Sequence, residues 1–181
     1  MLEMDGLVDN MPQRGFYIHR VSLREMIDLF MLRQALEMVA AYSAAEVATA
    51  EDIDVMVSIF ASFSENGPEM DVAAYREADR RFHDVLIGLC RNRLVSKING
   101  TMGIMGKTYM GGLLRSPLET LPEHLALIGA IRRRSPKEAQ LLAMEHLEVT
   151  RKRMQAVHEQ LTGMGIDTST LPISEAGMET K

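Results

Sequence analysis

Asp79 and His83 stand four residues apart in EADRRFHDVL, Glu77 to Leu86, beside a helical apolar face made by Ala78, Phe82, Val85 and Leu86. Residues at i and i+4 on a helix lie one turn apart on one face, so this carboxylate and this imidazole aim at one place. Two further histidines share the inward setting. With Leu121 as reference and about 100° per residue, Leu118, Leu125, Ile128 and Ile131 span an apolar arc, and His124 falls inside it. Ala139, Leu142, Ala143, Val149 and Val157 mark the buried side of the next helix, with His146 in their midst. An aspartate and three histidines, carried by three helices, are therefore expected to face the interior.

Burial of such groups has consequences. A buried imidazole needs hydrogen-bond partners, and an unpaired buried carboxylate costs several kcal/mol or takes up a proton. A divalent cation meets both demands. Three nitrogen ligands and one oxygen suit Zn2+ first, with Ni2+, Mn2+ and Fe2+ also compatible. Around a six-coordinate ion, four protein ligands leave positions open for water or for the carboxylate of a bound molecule. The spacing alone fits a hydrogen-bonded polar core equally well. His19 and His158 stand outside the pattern and are expected at the surface.

The elements that must position these residues are legible from their caps. Ser22 to Glu25, SLRE, is a capping box that opens a first helix with Ile27, Phe30, Met31, Met38, Ala41 and Ala45 at helical spacing. Thr49 to Asp52, TAED, opens a second, with Ile53, Val55, Met56 and Phe60. Ser64 to Pro68 reads as a loop, and Asp71 as the cap of the helix carrying Asp79 and His83 to about Leu89. A fourth helix runs from Asn92 to about Met110, interrupted in composition by Gly100, Gly103 and Gly106 and closed by Gly111 and Gly112. Ser116-Pro117 and Ser135-Pro136 start the last two, to about Arg134 and Leu161, since proline is well placed in a first helical turn. Before Ser22, residues 1–21 read as a strand, a turn-rich NMPQRG and a β-favouring FYIHRV, a hairpin that needs a partner to be stable. The polar tail, 162–181, is expected to be disordered. The expected fold is all-α: an antiparallel bundle of six to seven helices over 22–161, preceded by a short β-hairpin.

Bulk properties bound the function. The chain has 181 residues, 46% of them hydrophobic, which suffices for one core. A net charge of −5 argues against a nucleic-acid coat. The 15 methionines suit an adaptable pocket or a plain helical core. Cys90, the single cysteine, can form no internal disulfide. With no signal-peptide pattern and no run of ~20 apolar residues, a cytoplasmic protein away from membranes is expected.

In this order, LRQALE (Leu32 to Glu37), DRRFHDVL (Asp79 to Leu86), NRLV (Asn92 to Val95), EHLALIGAI (Glu123 to Ile131) and EAQLLAMEHL (Glu138 to Leu147) resemble the C-terminal FCD domain of the FadR-like branch of GntR transcription regulators. The resemblance covers about 22–161. It implies a helical bundle, a homodimer, and a pocket where a metal helps to bind a small organic acid, with Asp79, His83, His124 and His146 at the metal-ligand positions. It also implies that GLVDNMPQRGFYIHRV is the wing hairpin of a winged-helix DNA-binding head, whose remaining parts are absent. A truncated gene, a fragment and an alternative start all fit. Arg14 and Arg20 could touch phosphates, but two cations give little affinity, so specific operator binding by this chain is not expected.

Other candidates have two readings each. Arg33 and Glu37, at i and i+4, form either an exposed ion pair or a group in which Arg33 grips an effector carboxylate; the resemblance favours the second. Tyr75, one turn before Asp79, is core or pocket wall. The glycine-methionine helix is a close-packed or broken helix, or a soft wall with Met102 and Met105 against the effector. RRRSPKE, Arg132 to Glu138, is a solvated basic helix end. A metal-dependent enzyme, hydrolase-like or oxygenase-like, is the alternative to a regulator. It wants a general base, and the sequence offers no HExxH and no further buried acid beside the motifs.

Overall fold

Five of the six described helices begin where a side chain accepts from their unpaired N–H groups. In the computed structural model of the chain, which describes residues 8–19, 21–63, 70–109, 115–169 and 171, α1 (Leu23–Val47) starts at Ser22 with both halves of the capping box formed to Glu25. Thr49 and Asp52 do the same for α2 (Ala50–Phe60). The Asp71 carboxylate accepts from the N–H groups of Ala73 and Ala74 at the start of α3 (Val72–Leu89). Asn92 serves α4 (Arg93–Tyr109) in the same way, accepting from Leu94 and Val95. Ser116-Pro117 opens α5 (Pro117–Arg132), and Ser135-Pro136 opens α6 (Pro136–Gly163), there without a side-chain cap bond. The sequence expectation of six helices holds, with ends moved by one or two residues.

Short connections fold the helices back on one another into a bundle. α1 and α6 form its most extensive pairing, with α3 and α5 closing on α1, and α2 lying across α3 and α5. Small residues allow this: Ala40, Ala41, Ala44 and Ala45 of α1 are fully buried in one cluster with Ala130 and Ile131 of α5 and Ala139 and Ala143 of α6. A second apolar cluster joins the other end of α1, Leu23 to Phe30, to Leu147 and Met154 of α6, with Val21. Polar residues occupy the stretch between: Arg33, Gln34 and Glu37 on α1, and His146 on α6. The Gln34 amide donates to the Met144 carbonyl (2.9 Å) and to Glu148 (3.2 Å), tying the two helices together there.

Strands β1 (Val8–Met11) and β2 (Gly15–Ile18) pair antiparallel, with Val8 opposite Ile18 and Met11 opposite Gly15. Gln13 and Gly15 take positive φ, which lets three residues turn the chain. Phe16 and Tyr17 are largely exposed. No described helix is long and apolar enough to cross a membrane.

Several sequence expectations are corrected. Leu118 and Leu125 were placed in the apolar arc of α5 but are 56% and 38% exposed. The buried arc, from Thr120 and Leu121 through Leu127, Ile128 and Ile131, includes His124, and Leu118 and Leu125 lie on its rim. Met31, Val55 and Val149, also expected on buried faces, are exposed as well. The glycine-methionine helix does not break at Asn99-Gly100: α4 runs through it, and a Cβ at Gly100 would meet nothing within 4 Å. The 162–181 tail is not disordered at its start. Thr162 and Gly163 complete α6, Thr168 is buried, and the Leu171 carbonyl accepts from the Leu23 N–H (3.0 Å). Those contacts supply the pairing that a polar composition conceals. The remainder of the tail, residues 1–7, Arg20, the 64–69 loop, Gly111, Gly112 and the Met105 side chain lie outside what is described.

Candidate functional site

Helices α3, α5 and α6 bring His83, His124 and His146 together, buried, with one ligand atom of each within 4.8 Å of the others. The Nε2 atoms of His124 and His146 are 3.3 Å apart. Asp79 joins them: its Oδ1 lies 3.5 Å from His124 Nε2 and 3.9 Å from His83 Nε2. Two ligands held ~2.0–2.1 Å from one tetrahedral ion are roughly 3.3 Å apart, so these separations match a shared cation. The three histidines singled out by their spacing therefore come together, and Asp79 approaches two of them.

Each imidazole is oriented from behind, through Nδ1. His83 Nδ1 meets Glu37 Oε2 at 2.7 Å, and His146 Nδ1 meets Glu123 Oε2 at 2.7 Å. Ionised carboxylates only accept, so both Nδ1 atoms carry the proton, and Nε2 is the atom turned toward the centre. His124 Nδ1 lies 3.1 Å from the Tyr75 hydroxyl, which lies 2.8 Å from Thr120 Oγ1. Thr120 donates to the Ser116 carbonyl (3.4 Å), so Tyr75 donates to Thr120 and accepts from His124. The third ring thereby has the same tautomer. Its plane is set by Phe60, stacked at 5.0 Å and 9°, with Phe82 at 4.8 Å.

The electrostatics agree. Burial, with His146 and His83 alongside, pushes His124 well below the ordinary imidazole range. Burial also lowers His146, against the opposing pull of Glu123. Both are held neutral at pH 7, as a ligand must be. Burial alone would raise Glu37, but His83 and Arg33 bring it down to about 2. Glu123, likewise raised by burial, is brought down to about 2 by hydrogen bonds from His146 and Arg115. Burial raises the Tyr75 phenol above its usual value, so it stays protonated. Three imidazole nitrogens thus lie close together, and the Asp79 carboxylate stands beside two of them. A divalent cation fits that donor set.

Arginines lock the carboxylates. Arg33 Nε donates to Glu37 Oε1 (2.7 Å), with its guanidinium 5.4 Å from the Phe30 ring centre. Arg115 donates to both Glu123 oxygens (2.7 and 2.5 Å), to Glu119 (3.3 Å) and to the His146 carbonyl (3.2 Å). Sequence reasoning missed Glu37, Glu123 and Arg115 as site residues, and its statement that no further buried acid stands by the motifs is corrected here. Glu37 is 1% exposed. Its i,i+4 pairing with Arg33 reads as a surface ion pair until α1 is seen to turn it inward. Glu123 adjoins His124 in sequence yet serves His146 across the α5–α6 contact, which no local spacing encodes. Asp84 and Glu145, set aside from sequence, are indeed exposed.

Tyr75 is fully buried, with its hydroxyl committed to Thr120 and His124. Arg14 is exposed in the hairpin turn. His19 contacts Glu25, and His158 accepts or donates at Thr168 (2.6 Å), so both stand apart from the cluster. The partly exposed members of the site are Asp79 (21%), Arg33 (25%) and Glu123 (33%), which mark its open edges. A depression of about 550 Å³ between α5 and α6 also reaches His146 and Glu123, but it is lined by Glu145, Glu148 and Lys152 and includes neither Arg33 nor Tyr75. Pro122, Ala126, Leu142 and Val149 complete its lining, so its wall is largely apolar.

Comparison with known proteins places this geometry. The galactonate operon transcriptional repressor of Escherichia coli (strain K12) is 26% identical over 131 residues, which is 70% of this chain and 56% of the repressor. The chain thus spans little more than half the length of that relative. Among solved structures, E. coli McbR/YncC superposes with a TM-score of 0.70 at 14% identity, covering 87% of this chain and 76% of that one. A protein described as a GntR transcriptional regulator of Rhodococcus sp. RHA1 gives 0.67 at 16%, covering 86% and 75%. A GntR protein of Streptococcus agalactiae gives 0.58 at 20%, covering 84% and 77%. These likenesses establish the helical fold. The FCD domain model matches residues 28–149, most of the bundle and all four converging residues, so the chain belongs to the FCD family of GntR-type transcription regulators, whose members are regulators rather than enzymes.

Proposed function

We propose that this chain is the effector-sensing, dimerising part of a GntR-type regulator. In this reading it binds a small organic acid through a divalent cation held by Asp79, His83, His124 and His146. The supporting observation is the gathering of three histidines, each held from behind through Nδ1, with the Asp79 carboxylate beside two of them. Zn2+ fits best, with Ni2+, Mn2+ and Fe2+ compatible. Bound there, the cation would supply a Lewis-acidic anchor for an effector carboxylate. Arg33 engages Glu37 through Nε, and its terminal amino groups are assigned to the effector's other oxygens. Tyr75 acts on the site through His124.

The enzyme alternative is weaker. Glu37 and Glu123 adjoin the cluster, but each is tied by an arginine and a histidine and held at about 2, so neither can take up a proton near neutrality.

Signalling would work by linkage. An effector that binds one arrangement of the bundle more tightly shifts the balance toward it. α6 carries His146 between the two apolar clusters and Met154 within the second, which also holds Val21 and Leu23. A displacement of α6 at the site would therefore be felt at the start of α1, where the hairpin segment joins.

The test is elemental analysis and native mass spectrometry of gently purified protein, followed by thermal melts with carboxylic acids, with and without metal. The name of the galactonate operon repressor puts sugar acids first in that panel, before hydroxy acids and short dicarboxylates. One metal per chain, an acid-induced upshift that needs the metal, no turnover, and a dimer by light scattering are expected. Protein that takes up no cation, or that consumes an acid of the panel, would overturn the reading.

A further inference from the structure

We infer that Glu37 and Glu123 are positioning residues that set the tautomer and direction of His83 and His146 before any cation arrives, and that Arg33 and Arg115 lock them for this task. The inference deepens the proposed cation site and rests on it for its metal-binding consequence. Its basis is a repeated arrangement on different helices. In one copy, Arg33 and Glu37 on α1 hold His83 on α3. In the other, Arg115 and Glu123 at the start of α5 hold His146 on α6. In each, an arginine and an imidazole Nδ1–H share one carboxylate whose other ionic partners are absent from the described contacts.

The chemistry is directional. A carboxylate offers only acceptors, so an Nδ1 beside it must be the protonated nitrogen, and Nε2 must be the ligating one. A carboxylate free to rotate would not fix the ring plane. The guanidinium holds each one: Arg115 binds both Glu123 oxygens and also reaches the His146 backbone carbonyl, so ligand, carboxylate and arginine form one closed unit. Glu119 extends it, bonding Arg115 and also Arg153 of α6 (2.6 Å). The arrangement gives the α5–α6 contact a direct hold on one ligand and α1 a direct hold on another. His124 differs, being held by the neutral Tyr75 hydroxyl.

The experiment has two arms on the full chain. In the first, nitrogen chemical shifts of the imidazoles are recorded by NMR on chelator-treated protein, wild type against Glu37→Gln, Glu123→Gln and the corresponding alanine variants. Wild type is expected to show His83, His124 and His146 all protonated at Nδ1. Glu123→Ala should convert His146 alone to a tautomer mixture, and Glu37→Ala should convert His83 alone. Glutamine, whose carbonyl oxygen can still accept, should restore most of the wild-type pattern. In the second arm, Co2+ is titrated against a chelator while its visible absorption is followed. Alanine at either position should weaken Co2+ by ~10–100-fold and alter the absorption envelope, and glutamine should weaken it less. Should the alanine variants fail to fold, the glutamine variants and Arg115→Met carry the test, with the same histidine-specific tautomer change expected for Arg115→Met at His146. Nε2-protonated rings in wild type, or an unchanged tautomer and Co2+ affinity in every variant, would overturn the inference. A wild type that shows the expected tautomers but takes up no Co2+ would instead refute the cation site and leave the positioning role standing.

Discussion

His146→Ala tests the cation site through stability. The ligands come from three helices, with His124 and His146 alone 22 positions apart, so the unfolded chain cannot gather them. A cation that binds only the folded state stabilises it by RT ln(1 + [L]/Kd), about 2.7 kcal/mol at a hundredfold excess over Kd. For a chain of this size ~1 kcal/mol moves the melting temperature by ~2–4 °C, so wild type should rise by roughly 5–11 °C on adding Zn2+. Removing His146 takes away one of four ligands and should abolish most of that rise. The variant has a metal-independent cost as well. His146 is 7% exposed and packs 4.5 Å from the His124 ring, while Glu123 keeps Arg115 when the imidazole is gone. The α5–α6 depression already reaches this residue, so the loss should be ~2 kcal/mol, the low end of large-to-small core substitutions. Calorimetric melts in chelator and in excess Zn2+ separate the two: the gap from wild type should be modest in chelator and should about double in Zn2+. His158→Ala, which removes a histidine bonded to Thr168 outside the cluster, should keep the full rise. Equal zinc-dependent rises in wild type and His146→Ala would refute the ligand assignment.

Other expectations follow from single contacts. Phe60→Ala removes a fully buried ring that stacks on His124 and also meets Tyr75 and Phe82, and should cost ~3–5 kcal/mol in urea melts. Thr168→Val keeps the shape of a buried residue but drops its bond to His158, and should lower urea-melt stability by ~1 kcal/mol, whereas a fully disordered tail would show no change. Thr49→Ala loses the side-chain cap of α2, at a cost of ~1 kcal/mol by the same measurement. Glu25 concerns pH. Burial works to raise its carboxyl, but the Ser22 N–H and hydroxyl and nearby His19 outweigh it, leaving the group below its ordinary value. A depressed carboxyl contributes stability above its unfolded pKa, ~4.3, and loses it as pH falls through the folded value. The melting difference between wild type and Glu25→Gln should thus be largest near pH 6 and shrink below ~4.3.

The residues that sequence reasoning found are those whose signal is local. Asp79 and His83 share one turn, and His124 and His146 interrupt apolar faces, so periodicity alone turns them inward. The capping boxes at Ser22 and Thr49 are local too, and they placed the helices to within a residue or two. What escaped depends on contacts between distant elements. Glu123 serves His146 across 23 residues, and Glu37 serves His83 across 46. Neither pair has a spacing that a helix could announce, and both glutamates are charged residues that ordinarily face solvent. The error on α5 has the same root. Ranking apolar residues as the inward face put Leu118 and Leu125 inside, when the polar Thr120 and His124 were the residues the bundle had closed around.

Charge couples the proposed cation to its effector. Asp79, Glu37 and Glu123 bring three negative charges to the site, and Arg33 and Arg115 bring two positive ones. The balance is −1 with neutral histidines, so an organic anion approaching the metal-free site meets net repulsion from groups already paired among themselves. A divalent cation turns the balance to +1, and a singly charged acid then brings it to zero. Each ligand should therefore strengthen the other by the same factor, as linkage requires. An acid that bound equally well with and without the cation would have to be held by Arg33 alone. Arg33 already gives its Nε to Glu37, so only its terminal amino groups remain for the acid, in the field of Asp79 without the cation to offset it.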